Sequence, residues 1–536
     1  MNRVHNARAK NLPTTGNILD SFKKLTDLIP NNDGLRKFRQ HSSEAYDKPM
    51  PINAKSQETT IDITVSDHDI SQIDDSFVTV EGTFTVRCPN VTVTASSSAD
   101  TDPIIFFGHK ASNQCFRQIK LLHNGKDTDY LSQECIREGH AFANLKGRAE
   151  KSSKKHVYTL YEDVNNFNPG VAGTYVRLSE FKNGNKTATI NFKYIVPLSD
   201  LILLQTFSMY PSNIIGQLSL KLAFSFDGLV WTQVNPSAVR IANDYLNNTT
   251  TASTTYETTP YDHFFHQIGE VGKFVDTNNT PLPYTNTSAF DVVGFSITKI
   301  SSQMMGYNVR NETIEAIHNH LKQMPLFLPA QSLDYIPYPA PTTGGNYSQS
   351  AQVMFENVEC ISVMFPTTPQ QITCFKNPNI QNFQLKIDNA LFPPVPIATN
   401  TNISPEFLTY QLNASDLDGS IEPTKSWMSS ITESRTDMND TRYANSRFDD
   451  TDFMLNISTE RSQGGFVFDG MSSTKPINVE LRFSPVVSGN NDVYYRPDGD
   501  NLANVIQVPP ELWLCRDVFF ECGVGYLKYH REGSPK

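Results

Sequence analysis

From about residue 55 onward, apolar and polar side chains alternate with a period of two. In FVTVEGTFTVRC the positions Val78, Val80, Phe84, Val86 and Cys88 are apolar and most of those between are Thr, Glu or Arg, as in a strand with one face in a core. Ile61, Ile63 and Val65 repeat the pattern, as do Ile190, Phe192, Tyr194 and Val196, and then Leu218, Leu220, Leu222, Phe224 and Phe226. A Thr- and Asn-rich bridge, residues 243–260, interrupts it. It then resumes at Val293, Phe295 and Ile297, through residues 353–365, at Phe383, Leu385 and Ile387, at Val479, Leu481 and Phe483, and from Val518 to Tyr526. Two successive β-sandwiches are predicted.

One phrase occurs in each half. IKLLHNG (residues 119–125) and LKIDNA (residues 385–390) both run apolar, Lys, apolar and break at an Asn followed by a small residue, the way a strand ends in a tight turn. Few helices are expected. Ile18, Phe22, Leu25 and Ile29 predict a short amphipathic helix near the N-terminus, a second is expected near residues 130–146, and Ile314, Ile317, Leu321 and Met324 form a stripe over residues 311–324. The chain of 536 residues is too long for one ordinary core. The expected division is an arm with a short helix (1–50), a first sandwich (51–242), a polar linker (243–287) and a second sandwich with a C-terminal extension (288–536), with no strand starting before about Thr60.

Composition agrees with that division. Hydrophobic residues make up 38% and charged residues 19%, a balance suited to short strands joined by long polar loops. Seven cysteines lie scattered without a C-x-x-C pair, so they are expected as buried free thiols rather than as disulfides or zinc ligands. No apolar run of roughly 18 residues or signal-peptide core is present, and a soluble protein folding in a reducing compartment is expected. Sequons such as those at Asn248 and Asn456 are what an Asn- and Thr-rich chain produces by accident.

Charge is uneven. Net charge is −11, yet the first forty residues hold Arg3, Arg8, Lys10, Lys23, Lys24, Arg36, Lys37 and Arg39 against Asp20, Asp27 and Asp33. A +5 arm on a −16 body makes those eight cations the candidate contacts to an anionic partner.

The search for chemistry excludes more than it finds. His318 and His320 lie two apart on an expected helix and point away from each other, so they cannot share an ion. Asp416, Asp418 and Glu422, and Asp449, Asp450 and Asp452, lack EF-hand spacing. No G-x-S-x-G, Walker or G-x-G-x-x-G motif occurs, and the basic run Lys146, Arg148, Lys151, Lys154 and Lys155 lacks interleaved aromatics. No catalytic residue, metal ligand or cofactor site is assigned, and no enzyme activity is expected.

The ordered landmarks between residues 55 and 530 resemble the double jelly-roll major capsid proteins of the virophage, Polinton-like and adenovirus-related viruses. CFRQIKLLHNGKDTDYLSQECIREGHAFANLKG matches the family's strand, Asn-Gly turn and helix, and ATINFKYIVPLSDL its strand with a Pro-Leu exit. FDVVGFSITKI and NETIEAIHNHLKQMP resemble the opening of the second roll; VECISVMFPTTP, FKNPNIQNF and FQLKIDNALFPPVP follow, with Phe407, Tyr410 and Leu412 in a short helical segment after them. The turn at Asn389 departs from Asn-Gly, and the segment from Asn490 is longer than the family pattern.

The resemblance implies an all-β fold of two tandem eight-stranded jelly rolls and a major capsid protein. Three copies would form a pseudo-hexagonal homotrimeric capsomer of an icosahedral shell, made inside the host cell and located in the virion. Neighbouring capsomers, penton and minor capsid proteins would be partners, with the arm turned toward genome DNA or an internal membrane. Residues 88–103, 243–260 and 399–448 would form towers and clasps. The alternatives are a soluble two-sandwich adhesin or carbohydrate-binding protein, which the missing signal peptide disfavours, and a carbohydrate-active enzyme, which would need two carboxylates in one cleft.

Overall fold

The computed structural model describes residues 35–42, 49–50, 57–88, 104–132, 176–181, 187–234, 266–268, 290–339, 346–365, 375, 380–398, 455–459, 470–485 and 509–530, apart from scattered positions inside these ranges. The first half contains β1 (Leu35–Ser42), β2 (Pro49–Met50), β3 (Gln57–Asp62), β4 (Ile70–Arg87), β5 (Ile104–His109), β6 (Phe116–His123), β7 (Lys126–Ser132), β8 (Val176–Arg177), β9 (Thr187–Pro197), helix α1 (Ser212–Ile215), β10 (Leu218–Phe224), β11 (Leu229–Val234), β12 (His266–Gln267) and β13 (Asp291–Asn308). Helix α2 (Asn311–Gln323) then leads into β14 (Leu326–Pro337), β15 (Tyr347–Val353), β16 (Val358–Met364), β17 (Ile380–Ile387), β18 (Ala390–Ala398), β19 (Leu455–Ser458), β20 (Ile477–Pro485), β21 (Glu511–Gly523) and β22 (Tyr526–His530).

Two sheets in each half share one plan. In the first half the sheets run β1-β13-β4-β9 and β3-β10-β6-β7, and in the second β14-β21-β16-β19 and β15-β20-β17-β18. Take β1, β3, β4, β6, β7, β9, β10 and β13 as strands one to eight, and β14 through β21 likewise. Both halves then read one-eight-three-six and two-seven-four-five, all antiparallel. The chain is a double jelly roll of two eight-stranded β-sandwiches, as the sequence pattern and resemblance lead one to expect.

This topology moves the expected boundaries. β1 lies within the predicted arm and is the first strand of roll one, paired along its whole length with β13 from Leu35↔Asn308 to Ser42↔Ser301. Strands therefore begin well before Thr60. β13, expected to open the second roll, closes the first, hydrogen-bonded to β4 from Asp291↔Arg87 to Tyr307↔Ile70. The expected linker is part of the connection between strands seven and eight of roll one, and α2 is the element that joins the rolls. The α2 stripe is where periodicity placed it, with Ile317 and Leu321 buried. The helix expected near residues 130–146 meets β7 at its first three positions, and its remainder lies outside the described residues, as do the arm helix and the segment around Phe407.

Because successive strands cross between the sheets, the connections separate by end. At one end, the base, lie 63–69, 124–125 and 198–217 in roll one, and 354–357, 388–389, 459 and 470–476 in roll two. The ends of the third, fifth and seventh strands, Arg87, Ser132 and Phe224 in roll one and Met364, Ala398 and Pro485 in roll two, lie at the other end, and the long connections leave from there. Long connections cost the core little there. In roll one, three of these contribute β5, β8, β11 and β12, which pair into an additional sheet in the order β12-β11-β5-β8.

The predicted apolar parities hold across the core. Val78, Val80, Phe84, Val86, Ile190, Tyr194, Leu218, Leu220 and Leu222 are buried in the first cluster; Phe383, Leu385, Ile387, Val479 and Leu481 are buried in the second. A third group, Leu333, Cys360, Met364, Phe375, Trp513 and Cys515, covers the outer side of β14-β21-β16. β16 is therefore buried at every position and β21 at all but one.

Candidate assembly surfaces

The base of roll one is built by the run between β9 and β10. Leu198, Leu201, Leu204 and Phe207 recur every third residue, and the backbone follows with Leu201 N–H donating to Leu198 O at 3.2 Å, Leu204 to Leu201 at 2.8 Å and Phe207 to Leu204 at 3.1 Å, the spacing of 3-10 turns. All four side chains are buried. Tyr210 then exchanges both backbone hydrogen bonds with Ser71, at 2.7 and 2.8 Å. Gly216, at φ 129°, ends α1; a Cβ here would lie 2.5 Å from the His123 imidazole and from Asn124, so only glycine fits.

The rolls meet at this base. Phe207 packs on Phe520 of β21 with ring centroids 5.1 Å apart, Tyr210 stands edge-on to Phe207, and Gly525 N–H donates to Ile214 O at 3.0 Å. β22, the strand after β21, lies against β7. Ile317, Leu321, Leu326, Leu328, Val518, Phe520, Cys522 and Leu527 belong to the same buried cluster as the core of roll one. One continuous apolar body thus spans the junction. Burial pushes the Tyr210 hydroxyl well above its ordinary range, with Cys522 adding to the shift.

The outer faces of the two-seven-four-five sheets are polar and ion-paired. In roll one Lys221 pairs with Glu58 and Lys120 with Asp127. In roll two Glu480 is the hub, taking hydrogen bonds from Arg482 Nε at 2.8 Å and from Ser348 Oγ, with Lys386 Nζ at 3.6 Å. These donors hold its carboxyl down at about 2, Arg482 contributing most. Arg516, buried in β21, pairs with Asp334 and donates to Met354 O at 2.8 Å and Glu356 at 3.4 Å. It ties the eighth strand to the first and to the turn between the second and third.

Four large apolar side chains are exposed among the described residues: Met209, Leu391, Val395 and Val524. Met209 and Val524 lie at the base. Leu391 and Val395 stand on β18, an edge strand paired only with β17. Sequence parity does not single them out, because an exposed edge and a buried strand are written in the same apolar letters.

Of the eight candidate cations, Arg36, Lys37 and Arg39 are positions of β1, opposite Tyr307, Gly306 and Met304 of β13, where the chain enters roll one from the base. Arg3, Arg8, Lys10, Lys23 and Lys24 lie outside the described residues, as do the aspartate runs and the basic run from Lys146. His318 and His320 fall on α2. Among the described residues there is no group of three or more His, Cys, Asp or Glu placed to hold a metal, and no helix is long and apolar enough to cross a membrane.

What these features define is a double jelly-roll protein whose two rolls are fused at one end. The fold is similar to solved structures of viral proteins. A chain of the Sputnik virophage is 10% identical, with a TM-score of 0.46 and coverage of 93% of this chain and 90% of that one. The mavirus major capsid protein is 10% identical, with a TM-score of 0.45 and coverage of 95% and 92%; for the Faustovirus major capsid protein the values are 9%, 0.42, 92% and 91%. No family model and no curated protein matches the sequence.

Proposed function

We propose that this chain is a viral major capsid protein, a tile of an icosahedral shell assembled in the host cell. One observation carries the reading: two rolls of identical strand order share a single apolar base, and the strand ends from which the long connections leave lie at the opposite end. Such a body has an inner and an outer side without further elaboration. Three copies around an axis would place six rolls in a ring, a pseudo-hexagonal capsomer, and closed symmetry buries the flanks of each roll. The loop end faces outward, and penton and minor capsid proteins meet the finished tiles.

The arm belongs on the inner side, because β1 enters roll one at the base. Its cations Arg3, Arg8, Lys10, Lys23 and Lys24, with Arg36, Lys37 and Arg39 at the start of the roll, are the contacts to genome DNA or an anionic internal membrane. Negative-stain microscopy and sedimentation of the purified chain test the assembly. Threefold particles that persist at micromolar concentration are expected, and a monomer overturns the reading.

A further inference from the structure

Strands three and eight of roll two, β16 and β21, keep one register from Cys360↔Cys515 to Met364↔Glu511. Between Val358 and Cys360 that register shifts by one residue, Val358 lying opposite Arg516, so Glu359 is the extra residue of a β-bulge. The bulge decides which side chains meet. Continued without it from Val358↔Arg516, the ladder would set Glu359 against Cys515 and Cys360 against Leu514.

The two cysteines therefore stand directly opposite one another on one face of the sheet. Ile361, Val363, Leu512 and Leu514 pack into the core, whereas Cys360, Cys515, Met364 and Trp513 belong to the cluster on the outer side. Leu333 of β14 flanks Cys515, and Cys360 Sγ lies 3.7 Å from Ser362 Oγ. Residues opposed in an antiparallel pair have Cα atoms about 4.5–5.5 Å apart, inside the span of roughly 4.4–6.8 Å that a disulfide bridges. Neither cysteine is disulfide-bonded, and each is 1% exposed. Phe375, from the connection between β16 and β17, is the member of this cluster that comes from outside the three strands.

We propose that Cys360 and Cys515 form a redox site, a thiol pair that hydrogen peroxide converts to a cross-strand disulfide clipping strand three to strand eight of roll two. One thiolate attacks a peroxide oxygen, the O–O bond breaks, and the hydroxide released takes up the thiol's proton as water, leaving a sulfenic acid. The second thiolate attacks that sulfur. An S–S bond forms, the S–O bond breaks, and the hydroxide released takes up the second thiol's proton as another water, so the pair is oxidised and one peroxide is reduced. Peroxide is close to water in size and reaches thiols that a larger reagent does not. The bond closes a loop holding β17 to β20, which constrains the unfolded chain more than the folded one. A chain that folds with its thiols reduced thus gains the clip on meeting an oxidising medium, whatever its state of assembly.

The test is peroxide treatment of the full native chain, stopped with catalase and followed by alkylation in denaturant and digestion without reduction. Mass spectrometry should find the peptides of Cys360 and Cys515 joined, lighter than their sum by the hydrogens lost, and separated again by dithiothreitol. Recovery of the two unlinked, or a bond from either to another cysteine, overturns the assignment. The joined chain should unfold roughly 5–15 °C above the reduced one, and an unchanged midpoint overturns the clip. In Cys515→Ala, Cys360 should instead be trapped as its sulfenic acid by dimedone; equal trapping in the unaltered chain overturns the coupling of the pair. The peptide mapping needs no variant, so a substitution that fails to fold does not shield the proposal.

Discussion

Asn124 and Asp388 occupy the same place in the two rolls. Each is the first turn residue after the fourth strand, each is left-handed, at φ 48° and 54°, and each donates its N–H to the foot of the seventh strand, to Gln217 O at 2.8 Å and Asn478 O at 2.7 Å. Register follows: His123 and Leu121 face Leu218 and Leu220 just as Ile387 and Leu385 face Val479 and Leu481. The repeated phrase in the sequence therefore marks equivalent hairpins, with one adjustment. Asn389 occupies the place of Gly125, and Asp388 that of Asn124.

The turns make opposite predictions. Gly125 has φ 73°, and nothing lies within 4 Å of where a Cβ would stand, so Gly125→Val should cost about 1–2 kcal/mol through backbone strain alone. Asp388→Gly relieves that strain but loosens the unfolded chain, and should change stability by less than about 1 kcal/mol. Urea denaturation of both variants checks the pair.

Gly306 admits the His68 ring. A Cβ there would lie 2.3 Å from His68 Nδ1, on a strand in the interior of its sheet. Gly306→Ala should cost about 1–3 kcal/mol, and combining it with His68→Ala should recover part of that loss. Additive losses in the double-mutant cycle would show that the two positions act separately.

Stability should fall with acid in two windows. His109, wholly buried and hydrogen-bonded to Tyr194 Oη at 2.9 Å, is held near a pKa of about 3 by burial, against an ordinary 6.5. The unfolded chain takes up this proton first, so stability is lost as pH falls from 6.5 toward 3. Glu480, held at about 2 rather than 4.5, keeps its charge when folded, so its contribution fades from 4.5 toward 2. His109→Gln should flatten the upper window and Glu480→Gln the lower one in denaturation followed against pH.

Truncation separates the arm from the roll. Removing residues 1–34 should leave a folded oligomer while impairing shell closure or DNA retention, and in the full chain the arm's hold on DNA should weaken as salt rises above about 0.15 M. Removing residues 1–45 deletes β1 and exposes one edge of β13, and should destabilise roll one. Equal unfolding midpoints for the two truncations would contradict the place of β1 in the sheet.

Cys88, Cys115, Cys360, Cys515 and Cys522 are buried and not disulfide-bonded, and burial raises the thiols of Cys115 and Cys522 above their ordinary range. They should resist a thiol reagent in the native protein and react once it unfolds.

Strand existence, face parity, the α2 stripe and the two-fold repetition are all legible in the residues, because a half-buried strand must alternate and a two-residue turn must admit left-handed backbone. Val78 to Val86 and Leu218 to Leu222 show it directly. The membership of strands is not legible. β1 reads as a charged arm, LRKFRQHS, and becomes a strand only because β13 supplies hydrogen-bond partners from far along the chain. β13 reads as the start of a domain and is the end of one, since alternation records burial and says nothing of which sheet provides it. β21 hides Arg516 and Asp517 among apolar neighbours because both of its faces are covered and Asp334, Glu356 and Met354 arrive there to meet Arg516. Leu391 and Val395 carry the same letters as core residues, and only the packing of the two rolls, which leaves β18 at an edge, turns them outward.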